Sequence, residues 1–183
     1  MEINTKYLWV LATCLVLFLQ ETSGAEKLKG MDLVAKTCKA TEDEKLCLEA
    51  LSSDKLGSAT AEDLQDLAMI ALKYAASNAS GILQDAKRMI DDPDLDPAIQ
   101  QGLSDCKDTL LDAESQIEDT IAALLTDSKS DAKRWLKIAL AAIDTCDDSI
   151  PGEDDVLSKK SRTFRRLCTI CLSISKAMLK DNN

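Results

Sequence analysis

Seven cysteines are the residues of this 183-residue chain whose type and spacing most invite chemistry. Cys168 and Cys171 form a C-x-x-C pair, the spacing of a dithiol redox centre or of half a zinc site. A reactive thiol needs a helix N-terminus or a nearby cation, and a structural zinc needs a second ligand pair. Here the pair falls mid-helix on an apolar stripe with Leu167 and Ile174, and no second pair accompanies it. Both are read as buried free thiols that pack as small hydrophobes. The chain has no histidine, which excludes Ser-His-Asp and Cys-His catalysis and His-ligated zinc.

The carboxylates fare no better as catalysts or ligands. Asp92, Asp94 and Asp96 alternate like the start of a calcium loop. Pro97 then stands where that loop needs glycine, and Leu103 where it needs a bidentate carboxylate. The segment reads as a solvated connection, and no metal or cofactor is expected. Asp147 and Asp148 would serve as a glycosidase pair only in a cleft with aromatic faces to stack sugars. Beyond residue 25 the aromatics are Tyr74, Trp135 and Phe164 alone, so direct carbohydrate binding is not expected either. Asn78-Ala79-Ser80 is a glycosylation sequon, but Asn78 lies near the inward stripe of a helix, whereas acceptors favour exposed loops. Lys159, Lys160, Arg162, Arg165 and Arg166 read as the wet face of the last helix.

The first residues have the form of an export signal. Lys6 gives a weak positive start, Tyr7 to Leu19 a mostly apolar run, and Thr22-Ser23-Gly24-Ala25 a small-residue cleavage site after Ala25. The run is too short to cross a bilayer as a helix, and no later segment is long and apolar enough to do so. Residues 1–25 are therefore expected to leave a secreted domain of residues 26–183, with no membrane association after cleavage. The whole chain carries 22 basic and 32 acidic residues, a formal charge of −10. An acidic surface repels nucleic acid and suits solubility or a basic partner.

Holding these residues in place falls to helices. No sustained alternating run rich in Val, Ile and Thr argues for a strand. Residues 28–38 and 43–51 read as two short helical pieces joined by Thr41-Glu42-Asp43. Gly57-Ser58-Ala59-Thr60 reads as a break, with Thr60 and Asp63 as a start signal for the next helix. Four longer amphipathic helices come after it. Their stripes run through Leu64 to Met89, Ile99 to Leu124, Ala132 to Cys146 and Phe164 to Met178. Short connections imply antiparallel neighbours. The expected fold is all-α, an up-down-up-down four-helix bundle preceded by an N-terminal helical hairpin and stabilised by disulfides.

Cys14 leaves with the signal, and the remaining six cysteines allow fifteen pairings. A Cys38–Cys47 tie would close the hairpin. Cys106 and Cys146 lie on apolar stripes of adjacent antiparallel helices, where facing side chains can meet.

This arrangement resembles the plant family of invertase and pectin methylesterase inhibitors. Thr37-Cys38 through Leu46-Cys47-Leu48, then Leu51-Ser52-Ser53-Asp54, resembles its opening cysteine hairpin. Ala61 to Leu72 matches its Asp-Leu-x-x-Leu-Ala pattern. Thr145-Cys146-Asp147-Asp148 resembles the close of its third bundle helix, and Leu167-Cys168 with Ile174-Ser175 its final helix, where members carry an unpaired cysteine. The likeness spans residues 28–181. It implies the pairings Cys38–Cys47 and Cys106–Cys146, and action by stoichiometric binding without catalysis, as a monomer or a 1:1 complex in the apoplast or, alternatively, the vacuole. Inhibitors of the invertase branch typically carry Pro-Lys-Phe before the third bundle helix, where this chain has Lys129-Ser130-Asp131. Lys133-Arg134-Trp135-Leu136 through Ala141 is closer to the pectin methylesterase branch, although Lys137-Ile138-Ala139 replaces its usual Ser-Ala-Ala. Leu110 stands where many members have tyrosine. The resemblance implies pectin methylesterase as target, acid invertase as the alternative, and enzyme contacts at Asp112, Thr145 and Asp148. A remoter alternative is a structural or ligand-carrying helical protein without an enzyme target.

Overall fold

The computed structural model describes residues 27–151 and 155–180, so the expected export signal lies outside the described residues. Seven helices make up the described chain: α1 Gly30–Lys39, α2 Glu44–Ser52, α3 Lys55–Thr60, α4 Leu64–Ile90, α5 Pro97–Leu125, α6 Lys129–Ser149 and α7 Asp155–Lys180.

Aspartates start several of them. Asp43 accepts from Leu46 N, Asp54 from Gly57 N, Asp63 from Gln65 N and Asp66 N, and Asp96 from Ala98 N. Each satisfies an amide that the helix itself leaves unpaired, an effect worth about 1 kcal/mol per cap. Asp96 is thus a cap, and Asp92 accepts from Asp94 N, so these carboxylates shape the α4–α5 turn. Pro97 occupies the first turn of α5, where its missing N–H costs nothing.

Helices α4 to α7 form the bundle. In cross-section α4 lies against α5 and α7, while α6 lies against the same two, with the α5–α6 seam the most extensive. The core is aliphatic: Leu67 and Ile82 of α4, Leu103, Leu110, Ile117 and Leu124 of α5, Leu136 and Ile143 of α6, and Leu167 of α7 are fully buried. Phe164 is its one fully buried aromatic ring among the described residues. Ala71, Ala75, Ala86, Ala113 and Ala139 are buried among them and let the helices approach closely.

The N-terminal helices pack on the α4–α7 edge of this bundle. Cys38 joins Cys47 with Cα atoms 5.3 Å apart, tying α1 to α2. On the loop-entropy scale this closure is worth about 2.6 kcal/mol. Gly30 opens α1 at φ +55°, and its N–H donates to Ala61 O at 2.8 Å, with Ala59 O only 2.6 Å from where a Cβ would stand. Tyr74 of α4 donates to Glu49 of α2 at 2.9 Å; burial, then this bond, raises the phenol pKa.

Two local expectations give way. Residues 57–60 are not a break but the greater part of α3, and the next helix is capped by Asp63 alone. Ser58 donates to Leu51 O and Thr60 to Leu56 O, so hydroxyls hold a turn that glycine and small residues would not specify. The basic stretch of α7 is also more than a wet face. Lys160 pairs with Asp85 of α4, Arg166 with the α2 cap Asp43, and Arg165 with Asp144 and Asp147 of α6. The last helix thus fastens to three others through its charges.

Candidate partner-binding face

Among the described residues no group of three or more His, Cys, Asp or Glu is arranged to hold a metal ion. Cys168 and Cys171 are buried and free. Burial pushes the Cys168 thiol well up and the Cys171 thiol up to about 12, so neither is a nucleophile at physiological pH. What the fold offers is a surface, and its outer side on α5 and α6 is carried by two helices that a disulfide ties together.

Two features fix that pair of helices. Cys106 is bonded to Cys146, both fully buried, with Cα atoms 4.4 Å apart across a sequence separation of 40. Such a closure is worth roughly 4 kcal/mol by loop entropy. One turn earlier, Gly102 lets the backbones nearly touch: a Cβ there would lie 2.4 Å from Ser149 O and 3.0 Å from Ile150 Cα. Only glycine accommodates that approach.

The bridge sets the register for the expected contact residues. Thr145 and Asp148 flank Cys146 and share one face of α6, being three residues apart. Asp112 lies six residues past Cys106, level with residue 140 of α6. It is therefore about 8 Å along the axis from Thr145 and about 12 Å from Asp148. All three are exposed. Thr145 donates its hydroxyl to Ala141 O at 2.9 Å, leaving lone pairs and the methyl group outward. The structure thus places the three on the bridged half of α5 and α6, with Thr145 and Asp148 close together and Asp112 further along.

Charge distinguishes Asp148 from its neighbours. Arg165 reaches across from α7 and donates Nε–H to Asp144 at 2.6 Å and Nη2–H to Asp147. Burial alone would lower the guanidinium pKa, yet these carboxylates raise it. Asp144 and Asp147 are thereby engaged, whereas Asp148 has no ion-pair partner among the described residues. The other half of α6 is basic, with Lys129, Lys133, Arg134 and Lys137, and Arg134 lies 5.4 Å over the Trp135 ring.

Pattern reading missed two exposed apolar residues on these helices. Ile138 of α6 is 37% exposed, and Leu111 of α5 is 41% exposed but stands about 180° around its helix from Gly102, turned away from α6. Leu110-Leu111 was the available signal, because adjacent residues on a helix point about 100° apart and only Leu110 is buried. The exposed Ile138 gives the α6 side of the face an apolar contact of the sort that docks proteins.

Asn78, the sequon residue, sits in the middle of α4, half-buried, with Oδ1 buried and unpartnered. Ser80 of the same sequon donates to Glu114 of α5, placing the acceptor segment on the α4–α5 seam.

The model of the family described as plant invertase/pectin methylesterase inhibitor matches residues 32–174. A protein named "Putative invertase inhibitor" from Platanus acerifolia is 28% identical over 156 residues, covering 80% of this chain and 86% of that one. A pectinesterase inhibitor from Actinidia deliciosa is 24% identical over 175 residues, covering 93% of each. A crystal structure of a mutant form of a pectin methylesterase inhibitor from Arabidopsis superposes with a TM-score of 0.65 at 27% identity, covering 78% of this chain and 95% of that one. With its helical bundle, its two bridges and a family match over most of its length, this chain belongs to the plant invertase/pectin methylesterase inhibitor family.

Proposed function

We propose that the chain is a secreted inhibitor of pectin methylesterase that binds one enzyme molecule and obstructs its substrate cleft. It performs no chemistry itself. The bridged α5–α6 face is the contact surface, with Thr145 and Asp148 at one end and Ile138 and Asp112 further along.

One observation carries the choice of target. The place where the invertase branch carries Pro-Lys-Phe is the first turn of α6, which begins at Lys129. Lys129 folds back onto Asp127 at 3.5 Å, so the segment offers neither the aromatic ring nor a projecting lysine. A polyuronide-binding enzyme cleft is also suited to a surface that mixes carboxylates such as Asp148 and Asp112 with apolar contacts, since opposite fields speed encounter.

Acid invertase is the second reading, favoured by the named Platanus relative. The two are separated by titrating the refolded mature chain into purified pectin methylesterase and purified acid invertase. Loss of esterase activity to an end point of one inhibitor per enzyme, with invertase unaffected, is the expected result. Inhibition of invertase alone would replace the target, and inhibition of neither at large excess would remove the function.

A further inference from the structure

On the side of the molecule away from the α5–α6 seam, α1 and the C-terminal half of α7 do not close on each other. Ala40 and Ala177 are too small to fill the gap, and a half-open cavity of about 180 Å³ remains. Its apolar lining comes from Leu33, Leu64 and Ile174, and its polar groups are Lys36, Thr37, Thr41 and Ser173.

Those polar groups are not equivalent. Ser173 spends its proton on Thr169 O at 2.9 Å and Thr41 its own on Cys38 O at 2.7 Å. Thr37 is only 8% exposed, yet its hydroxyl has no hydrogen-bond partner among the described residues. The hydroxyl is therefore free to donate to an acceptor that enters the cavity. Lys36, adjacent in sequence and exposed, is the one charged residue of the lining and has no ion pair among the described residues.

We propose that this cavity is a binding site for a small monocarboxylate with an apolar body. The body lies against Leu33, Leu64 and Ile174, while the carboxylate accepts from the Thr37 hydroxyl and faces the Lys36 ammonium. Size sets the class: an apolar cavity of about 150 Å³ holds benzene, so this one takes an acid of about the size of phenylacetate. Neither the enzyme-binding face nor the choice of target enzyme enters into it.

Phenylacetate and its uncharged counterpart phenylacetamide are titrated into the mature chain, read by amide chemical shifts and calorimetry. Saturable binding of phenylacetate is expected, with shifts centred on Thr37 and Ile174, and weaker binding of the amide. Lys36→Gln, at an exposed position, should weaken phenylacetate by about fivefold and leave the amide unchanged, the scale of an exposed ion pair. Ala177→Leu should fill the cavity and abolish both, with the melting temperature checking that the variant is folded. Thr37→Val, which keeps the shape, should weaken phenylacetate if Ala177→Leu fails to fold. Absence of saturable binding, equal affinity for acid and amide, or binding indifferent to these substitutions would overturn the proposal.

Discussion

Substituting Gly102 by alanine should destabilise the protein, although the same change in most helix interiors does the reverse. Ordinary contact begins at about 3.4 Å, and the added Cβ would stand 2.4 Å from Ser149 O, so that carbonyl must retreat by about 1 Å. It is backbone, as is the Ile150 Cα at 3.0 Å, so no side chain can rotate aside. Overpacking of this kind costs about 1–3 kcal/mol. Against it stands a gain of about 0.5–1 kcal/mol from replacing glycine in a helix. The net expectation is a loss of about 0.5–2 kcal/mol, or roughly 2–6 °C in melting temperature for a domain of this size. Gly81 supplies the control, because a Cβ built there meets nothing within 4 Å. Gly81→Ala should therefore stabilise by about 0.5–1 kcal/mol. Thermal and urea unfolding of both variants, with the bridges intact, reads the signs directly. If Gly102→Ala raises the melting temperature as Gly81→Ala does, the close approach of α5 to the end of α6 is wrong.

The same packing sets other outcomes. Gly30→Ala combines a left-handed backbone with a contact to Ala59 O and should cost about 2 kcal/mol in denaturant unfolding. Cys168 and Cys171 should resist iodoacetamide in the native protein and both react once guanidinium unfolds it, as mass spectrometry will show. Their raised folded pKa values stabilise the fold fully below the ordinary thiol value of about 8.5; that contribution falls as pH climbs towards 12. Cys171→Ala should therefore flatten the alkaline loss of stability measured by urea midpoint against pH. Asn78 should carry no glycan, so the intact mass of secreted protein should equal that of the bare chain.

How far the sequence spoke depends on whether a feature is local. The α5 stripe from Ile99 to Leu124 repeats at helical spacing, and both its element and its inward face could be read from it. The cysteines on two such stripes pointed to adjacent helices. Residues 57–60 misled because a glycine among small residues looks like a break. Nothing local in the sequence announces that Ser58 will donate to Leu51 O. The α7 cations misled differently: Lys160, Arg165 and Arg166 have partners 75, 18 to 21 and 123 residues away, beyond any local pattern. On the binding face, Asp112, Thr145 and Asp148 came from likeness to a family, whereas the exposure of Ile138 needed the fold. Apolar residues are counted inward by default, and only packing shows which are left outside.

The claim on which the rest depends is that this bundle inhibits through its bridged α5–α6 face, and substitutions there test it most directly. Inhibition constants against pectin methylesterase are measured for Asp148→Lys and Thr145→Trp, with Gln84→Lys on the exposed side of α4 as control. The account expects each face variant to weaken inhibition about tenfold or more, the scale of an interface residue worth about 1.4 kcal/mol, at unchanged melting temperature, with the control inhibiting normally. Unchanged constants for both face variants would place the contact elsewhere on the molecule.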